Sequence, residues 1–178
     1  MFNALGSLGV LHDAIAADLF AGSGALGVEA LSRGAEHVTF VDSARASIDA
    51  VEANLDATGL GDRATVLRRD VLDSVGGAGR AFARPLDLVL ADPPYAFDRW
   101  SELVVGLVPL LAEDAVVVAE SDRSLGGDDG ELADVLDLHG GSVLRERRYG
   151  GTVVTMLTFT GSPPTLHLTD PLDRGAGS

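Results

Sequence analysis

Short apolar runs alternate with stretches of helical period along this chain. Ile15–Phe20 is apolar except for Asp18, and it stops at Ala21-Gly22-Ser23-Gly24. A helix is predicted over Ala25–Ser32, with Gly34 as its C-terminal cap. His37–Val41 is β-branched and aromatic and reads as a strand. Ser43 is placed to cap a helix running to Thr58, with Ile48, Val51 and Leu55 on one face and Gly59 ending it. Ala64–Arg68 reads as a third strand. Leu86–Ala91, almost wholly apolar, reads as a fourth of the buried parallel kind. Ser101–Leu111 is helical with Pro109 near its end, and Ala115–Glu120 is a fifth strand. Gly141–Tyr149 and Thr152–Thr160 are two more, joined by the tight Gly150-Gly151 turn.

Strands and helices alternating at this spacing predict an α/β fold: a mostly parallel seven-stranded sheet with helices on both faces. The last two strands have too short a link for a crossover, so they pair as an antiparallel terminal hairpin. One domain is expected over residues 1–160. Gly76–Arg84 and Ser121–Gly130 read as loops, and Gly161–Ser178, with three prolines, as a flexible C-terminal tail.

Charge changes the picture of possible partners. The 178 residues carry 27 acidic and 13 basic side chains, all of the latter arginine, for a formal charge of −14. Such a field repels polyanions at long range, so a nucleic-acid partner requires a local arginine patch. Cysteine is absent, which excludes disulfides, zinc–thiolate sites and a cysteine nucleophile. The four histidines are scattered and predict no metal site. No apolar run is long enough to cross a bilayer, and the first residues lack a signal-peptide pattern. A soluble, cytoplasmic protein is expected, with no membrane partner.

Gly22-Ser23-Gly24-Ala25-Leu26-Gly27 fits G-x-G-x-x-G between a strand and a helix. Glycine permits positive φ and close approach of backbone to a ligand, and the helix start offers unpaired N–H groups. Asp42, at the end of the next strand, is placed to accept from two ribose hydroxyls. These features serve NAD, FAD and S-adenosyl-L-methionine alike. Asp18, four residues before Gly22, favours the last: a carboxylate there repels a pyrophosphate and attracts an ammonium and a sulfonium. Asp70, after the third strand, can accept from an adenine amine. The alternative for Asp42 and Asp70 is a turn-forming aspartate. Phe20, Ser23 and Val71 complete the candidate cofactor set with Asp18, Gly22, Gly24, Asp42 and Asp70.

Asp92-Pro93-Pro94-Tyr95 follows the fourth strand directly, at the edge where open α/β sheets bind ligands. An exocyclic amine is a poor nucleophile because its lone pair is delocalised. A carboxylate (Asp92) and a rigid prolyl carbonyl (Pro93) can accept its two hydrogens and aim that lone pair at a methyl group. Tyr95 offers a face for base stacking, worth about 1–3 kcal/mol. The alternative is that the proline pair merely stops a strand. Trp100 reads as core.

The segment Asp18–Ala35 (DLFAGSGALGVEALSRGA), the later DPPY and Arg145-Glu146-Arg147-Arg148-Tyr149-Gly150 together resemble the RsmD family over about Met1–Phe159. The resemblance implies a Rossmann-like class I methyltransferase fold. It further implies methyl transfer from S-adenosyl-L-methionine to N2 of guanine 966 in 16S ribosomal RNA, within the small subunit or its assembly intermediate, by a monomer without metal. Carried over, Asp18, Gly22 and Gly24 line the methionine part, Asp42 the ribose and Asp70 the adenine. Asp92, Pro93 and Tyr95 hold the target amine and base, with Pro94, Arg145, Arg147 and Arg148 near the RNA. Family members carry a basic segment, with a hairpin and a T-R-P-T-like motif, ahead of the point where this sequence begins. Its loss bears on RNA affinity and activity more than on fold. Rival readings are N-methylation of DNA adenine or a protein glutamine amide, a cofactor-binding module without turnover, and a NAD-dependent oxidoreductase.

Overall fold

The computed structural model describes residues 1–77, 81–126 and 130–160. The predicted tail 161–178 and parts of the two predicted loops, 78–80 and 127–129, lie outside the described residues. Seven strands form one sheet: β1 (Ile15–Leu19), β2 (His37–Asp42), β3 (Ala64–Arg68), β4 (Leu86–Ala91), β5 (Leu111–Ser121), β6 (Gly141–Tyr149) and β7 (Thr152–Phe159). Their order is β3-β2-β1-β4-β5-β7-β6. The first five run parallel, and β7 inserts antiparallel between β5 and β6. The fold class is therefore the predicted one.

The apolar runs became strands because the sheet is covered on both faces. Ala16, Ala17 and Leu19 of β1 and Leu88, Val89 and Leu90 of β4 are buried on both sides of the pleat. On one face α1 (Phe2–Leu8), α2 (Ala25–Ser32) and α3 (Arg45–Thr58) contribute Leu5, Leu31, Val51 and Leu55 to the core. On the other, α4 (Val71–Gly76), α5 (Trp100–Leu107) and α6 (Ala133–His139) contribute Val75, Trp100, Leu103 and Leu136. The strand order reverses direction between β1 and β4, which opens a crevice outside their C-terminal ends.

Three local expectations are corrected. Ser43 does not cap α3: its N-cap is Ala44, without a side-chain cap, and Asp42 shapes the turn ahead of it, its Oδ1 accepting from the Ala44 N–H at 2.8 Å. The helix expected to reach Leu111 ends at Leu107. A 3-10 turn over Val108–Leu110 accommodates Pro109, whose missing N–H cannot continue the α-helical ladder. β5 consequently starts at Leu111, earlier than its β-branched run suggests. Helices α1, α4 and α6, each six or seven residues long, had no counterpart in the hydrophobic pattern.

Candidate active site

The C-terminal ends of β1, β2, β4 and β5 bring Phe20, Asp42, Asp92 and Glu120 to one edge of the sheet. β1 leaves the sheet through Phe20, which holds φ at 60°, the left-handed region a bulky side chain rarely adopts. The chain then turns through Gly22 (φ 55°) and Gly24 (φ 76°), the latter being the N-cap of α2. Glycine adopts these angles without steric cost. The turn is pinned to β2 by two bonds. The Ala21 N–H donates to the Val41 carbonyl at 3.1 Å, and the Gly22 N–H donates to Asp42 Oδ2 at 2.9 Å. Ser23 is exposed at the apex, its carbonyl accepting from Asn54 Nδ2 at 2.9 Å.

Asp18 lies beneath this turn rather than on its open side. It is 1% exposed, and its Oδ2 accepts from the Gly27 N–H at 2.8 Å. Burial pushes its carboxyl up to about 7, with the nearby Asp92 and Asp42 charges adding and the Gly27 bond opposing. The third glycine of the motif serves packing: a Cβ on Gly27 would sit 2.3 Å from Cε1 of the fully buried Phe40. Its bare Cα lets α2 settle on β2.

Asp42 stays half-exposed, and its oxygens already accept from Gly22 and Ala44. Each retains a further lone pair for a ligand hydroxyl. Asp70 is the N-cap of α4, with Oδ1 accepting from the Leu72 and Asp73 N–H groups at 2.9 and 3.1 Å. The turn-forming alternative thus accounts for one of its oxygens. Val71 buries its side chain in the core and presents only backbone to a ligand.

Beyond β4 the Asp92 N–H reaches the Leu19 carbonyl at 3.5 Å, which keeps the DPPY segment beside the glycine turn. Pro93 is buried; Pro94 and Tyr95 are exposed, Tyr95 at 73%. The Phe97 N–H closes the segment on the Pro94 carbonyl at 2.8 Å. Phe97 meets Phe20 edge to face at 5.1 Å and Trp100 at 5.2 Å, so three aromatic rings join the two turns. A cavity of about 160 Å³ opens here between Asp92, Pro93, Tyr95, Trp100, Glu120 and Thr152. Trp100 is core, as expected, and also lines this cavity.

Partial burial raises the Asp92 carboxyl above its ordinary value. Glu120 is raised by the same cause and by the Asp92 charge beside it. Neither carboxylate accepts a hydrogen bond among the described residues, so both can accept from a ligand. Phe97 and Glu120 are site residues that the sequence pattern did not single out. The signal for Glu120 was present: a carboxylate ending an apolar strand, as in Asp42.

The arginine-rich strand divides by alternation. Arg145, Arg147 and Tyr149 line a shallow groove of about 230 Å³ with Asn3 and Ala4 of α1. Glu146 and Arg148 lie on the opposite face of β6. There Glu146 accepts from Ser124 Oγ (2.7 Å), Thr155 Oγ1 (2.8 Å) and the Leu125 and Gly126 N–H groups. Arg148 is therefore separated from the other two arginines. Among the described residues, no three histidine, aspartate or glutamate side chains are grouped to hold a metal.

The family model described as "Conserved hypothetical protein 95" matches residues 1–158. "Putative rRNA methyltransferase YlbH" of Bacillus subtilis is 40% identical over 110 residues, 61% of this chain and 59% of that protein. "Ribosomal RNA small subunit methyltransferase D" of Escherichia coli is 35% identical over 119 residues, 66% of this chain and 58% of that protein. The chain thus spans less than two thirds of these relatives' length. The solved structure "Putative methyltransferase yhhF from Escherichia coli" superposes with a TM-score of 0.74 at 29% identity, covering 89% of this chain and 82% of that one.

Proposed function

The chain belongs to the conserved hypothetical protein 95 family, the RsmD family, and from that premise we propose that it transfers a methyl group from S-adenosyl-L-methionine to the N2 amine of a guanine in 16S ribosomal RNA. The single observation that carries this reading is the seating of DPPY beside the glycine turn at the strand-order switch point. Two relatives named as rRNA methyltransferases support the substrate class.

The residues fit the cofactor. Gly22 and Gly24 turn the chain at positive φ, where glycine alone is unstrained, and Asp42 beside the turn keeps acceptor capacity for ribose hydroxyls. Asp70 keeps one carboxylate oxygen for adenine. Asp18 lies beneath the turn and braces it by accepting from the Gly27 N–H. When bound, the cofactor supplies a methyl group on a positively charged sulfur. Asp92 and the Pro93 carbonyl accept the two N2 hydrogens and orient the nitrogen lone pair. Asp92 then receives the proton that the amine loses as the nitrogen–carbon bond forms and the sulfur–carbon bond breaks. Tyr95 stacks on the base. Position and electrostatics supply the rate.

The test is transfer of labelled methyl into small subunits from a strain lacking the modification, with the modified nucleoside identified by mass spectrometry. Label on guanine N2 that Asp92→Ala abolishes, while S-adenosylhomocysteine affinity stays within about threefold, is the expected outcome. Label only on DNA adenine or on a glutamine amide overturns the substrate. A parallel collapse of affinity in Asp92→Ala overturns the role given to Asp92.

A further inference from the structure

The DPPY cavity has a second carboxylate that the mechanism above does not use. Asp92 and Glu120 are the residues immediately after Ala91 and Ala119, which pair in register on the parallel strands β4 and β5. Neighbouring strands lie about 4.8 Å apart, so the two side chains leave the sheet edge side by side. Both line the same cavity, along with Tyr95 and Trp100. Glu120 is half-buried and accepts no hydrogen bond among the described residues, whereas most carboxylates so placed are paired.

Two acceptors set side by side complement two donors set side by side. On the Watson–Crick edge of guanine the N2 amine adjoins the N1–H donor. On adenine the exocyclic amine adjoins a ring nitrogen that carries only a lone pair, which a carboxylate repels. A cytosine presents the same amine-next-to-acceptor pattern. We infer that Glu120 is the specificity-determining residue of this site: its carboxylate accepts the N1–H of the base whose neighbouring amine Asp92 holds, and it thereby selects guanine. This rests on the guanine-N2 reading above and adds to it the residue that distinguishes guanine from the other amine-bearing bases.

Because Glu120 leaves the strand next to that of Asp92, this arrangement gives it the N1–H rather than the reacting nitrogen. Removing its charge should alter base choice more than cofactor binding. Glutamine is the informative replacement, since it keeps the shape of glutamate and can donate to a ring nitrogen as well as accept.

The experiment uses small subunits reconstituted with rRNA carrying guanine or 2-aminopurine at the acceptor position. 2-Aminopurine keeps the target amine but has an unprotonated N1, and its fluorescence rises when it leaves the base stack. The wild-type protein should methylate guanine in preference to 2-aminopurine by about 10–100-fold, the discrimination of a well-formed paired contact to a base edge. Glu120→Gln should bring that preference to within about threefold, chiefly through slower guanine transfer. With S-adenosylhomocysteine bound, Glu120→Gln should also give the larger 2-aminopurine fluorescence rise, a readout independent of turnover. Unchanged S-adenosylhomocysteine affinity verifies that the variant is folded. If guanine is methylated and Glu120→Gln keeps the wild-type preference, the assignment falls and the guanine reading stands. If wild-type protein methylates neither base, the underlying reading falls and the assignment falls with it.

Discussion

Asp18 is ionisable, almost without solvent contact, and set under a turn that its acceptor oxygen helps to hold. Its folded value of about 7 stands well above the ordinary 3.8. Between those values the native state keeps a proton that the unfolded chain has released. The associated stability is therefore complete below about pH 4 and lost as pH climbs through about 7. The span corresponds to at most about 4 kcal/mol. Asp18→Asn keeps an oxygen for the Gly27 N–H and removes the titration. Urea midpoints at pH 5, 6.5 and 8 should decline with pH in the wild type and decline less in Asp18→Asn. Equal slopes in the two proteins would show that Asp18 is ionised in the native state throughout. The place of Asp18 at the end of β1, just before the glycines, was legible. Its burial was not, because that depends on Phe40 and α2 closing over it.

At the scale of elements, the glycine turn and the DPPY segment meet through aromatic rings rather than through hydrogen-bonded side chains. Phe97 sits between Phe20 and Trp100, and Phe20 holds an unfavourable φ at that contact. Each edge-to-face pair is worth about 0.5–1.5 kcal/mol beyond the area it buries. Phe97→Ala should therefore lower stability by at least about 1–3 kcal/mol, the two edge-to-face contacts alone, read by chemical denaturation. It should also weaken S-adenosylhomocysteine binding, read by calorimetry, because Phe20 loses the ring that braces it. Unchanged affinity would mean that the two turns hold their shapes independently. β1, β2 and β4 were legible as apolar runs buried on both sides, β6, exposed along its length, only through the tight turn that joins it to β7, and α3 because Ile48, Val51 and Leu55 repeat at helical spacing. Short α1 and α6 each bury a single residue, Leu5 and Leu136, so no periodicity announces them. α4 is started by Asp70, whose capping role cannot be separated from ligand binding by position alone. Phe97 was not legible because an aromatic residue after a proline turn carries no pattern until its partners are known.

For the whole molecule, the RNA substrate proposed above has to be reconciled with a formal charge of −14. Long-range attraction is unfavourable, so binding has to come from a few short-range interactions. Arg145 and Arg147 share a groove with the exposed Tyr149, which offers two phosphate partners and one stacking face. Arg148 lies across the strand, beside the Glu146 that ties the hairpin to Ser124 and Thr155. If the groove receives RNA, the three arginines are not equivalent. Arg145→Ala combined with Arg147→Ala should weaken RNA binding and reduce the slope of log affinity against log salt by roughly 1.4, about 0.7 for each phosphate left without its arginine on single-stranded RNA. Arg148→Ala should leave that slope within about 0.3 of the wild type. Titrations of labelled rRNA between low and moderate salt would measure it. A fall in slope for Arg148→Ala equal to that of either groove arginine would place the RNA across both faces of the hairpin, and the groove would lose its special standing.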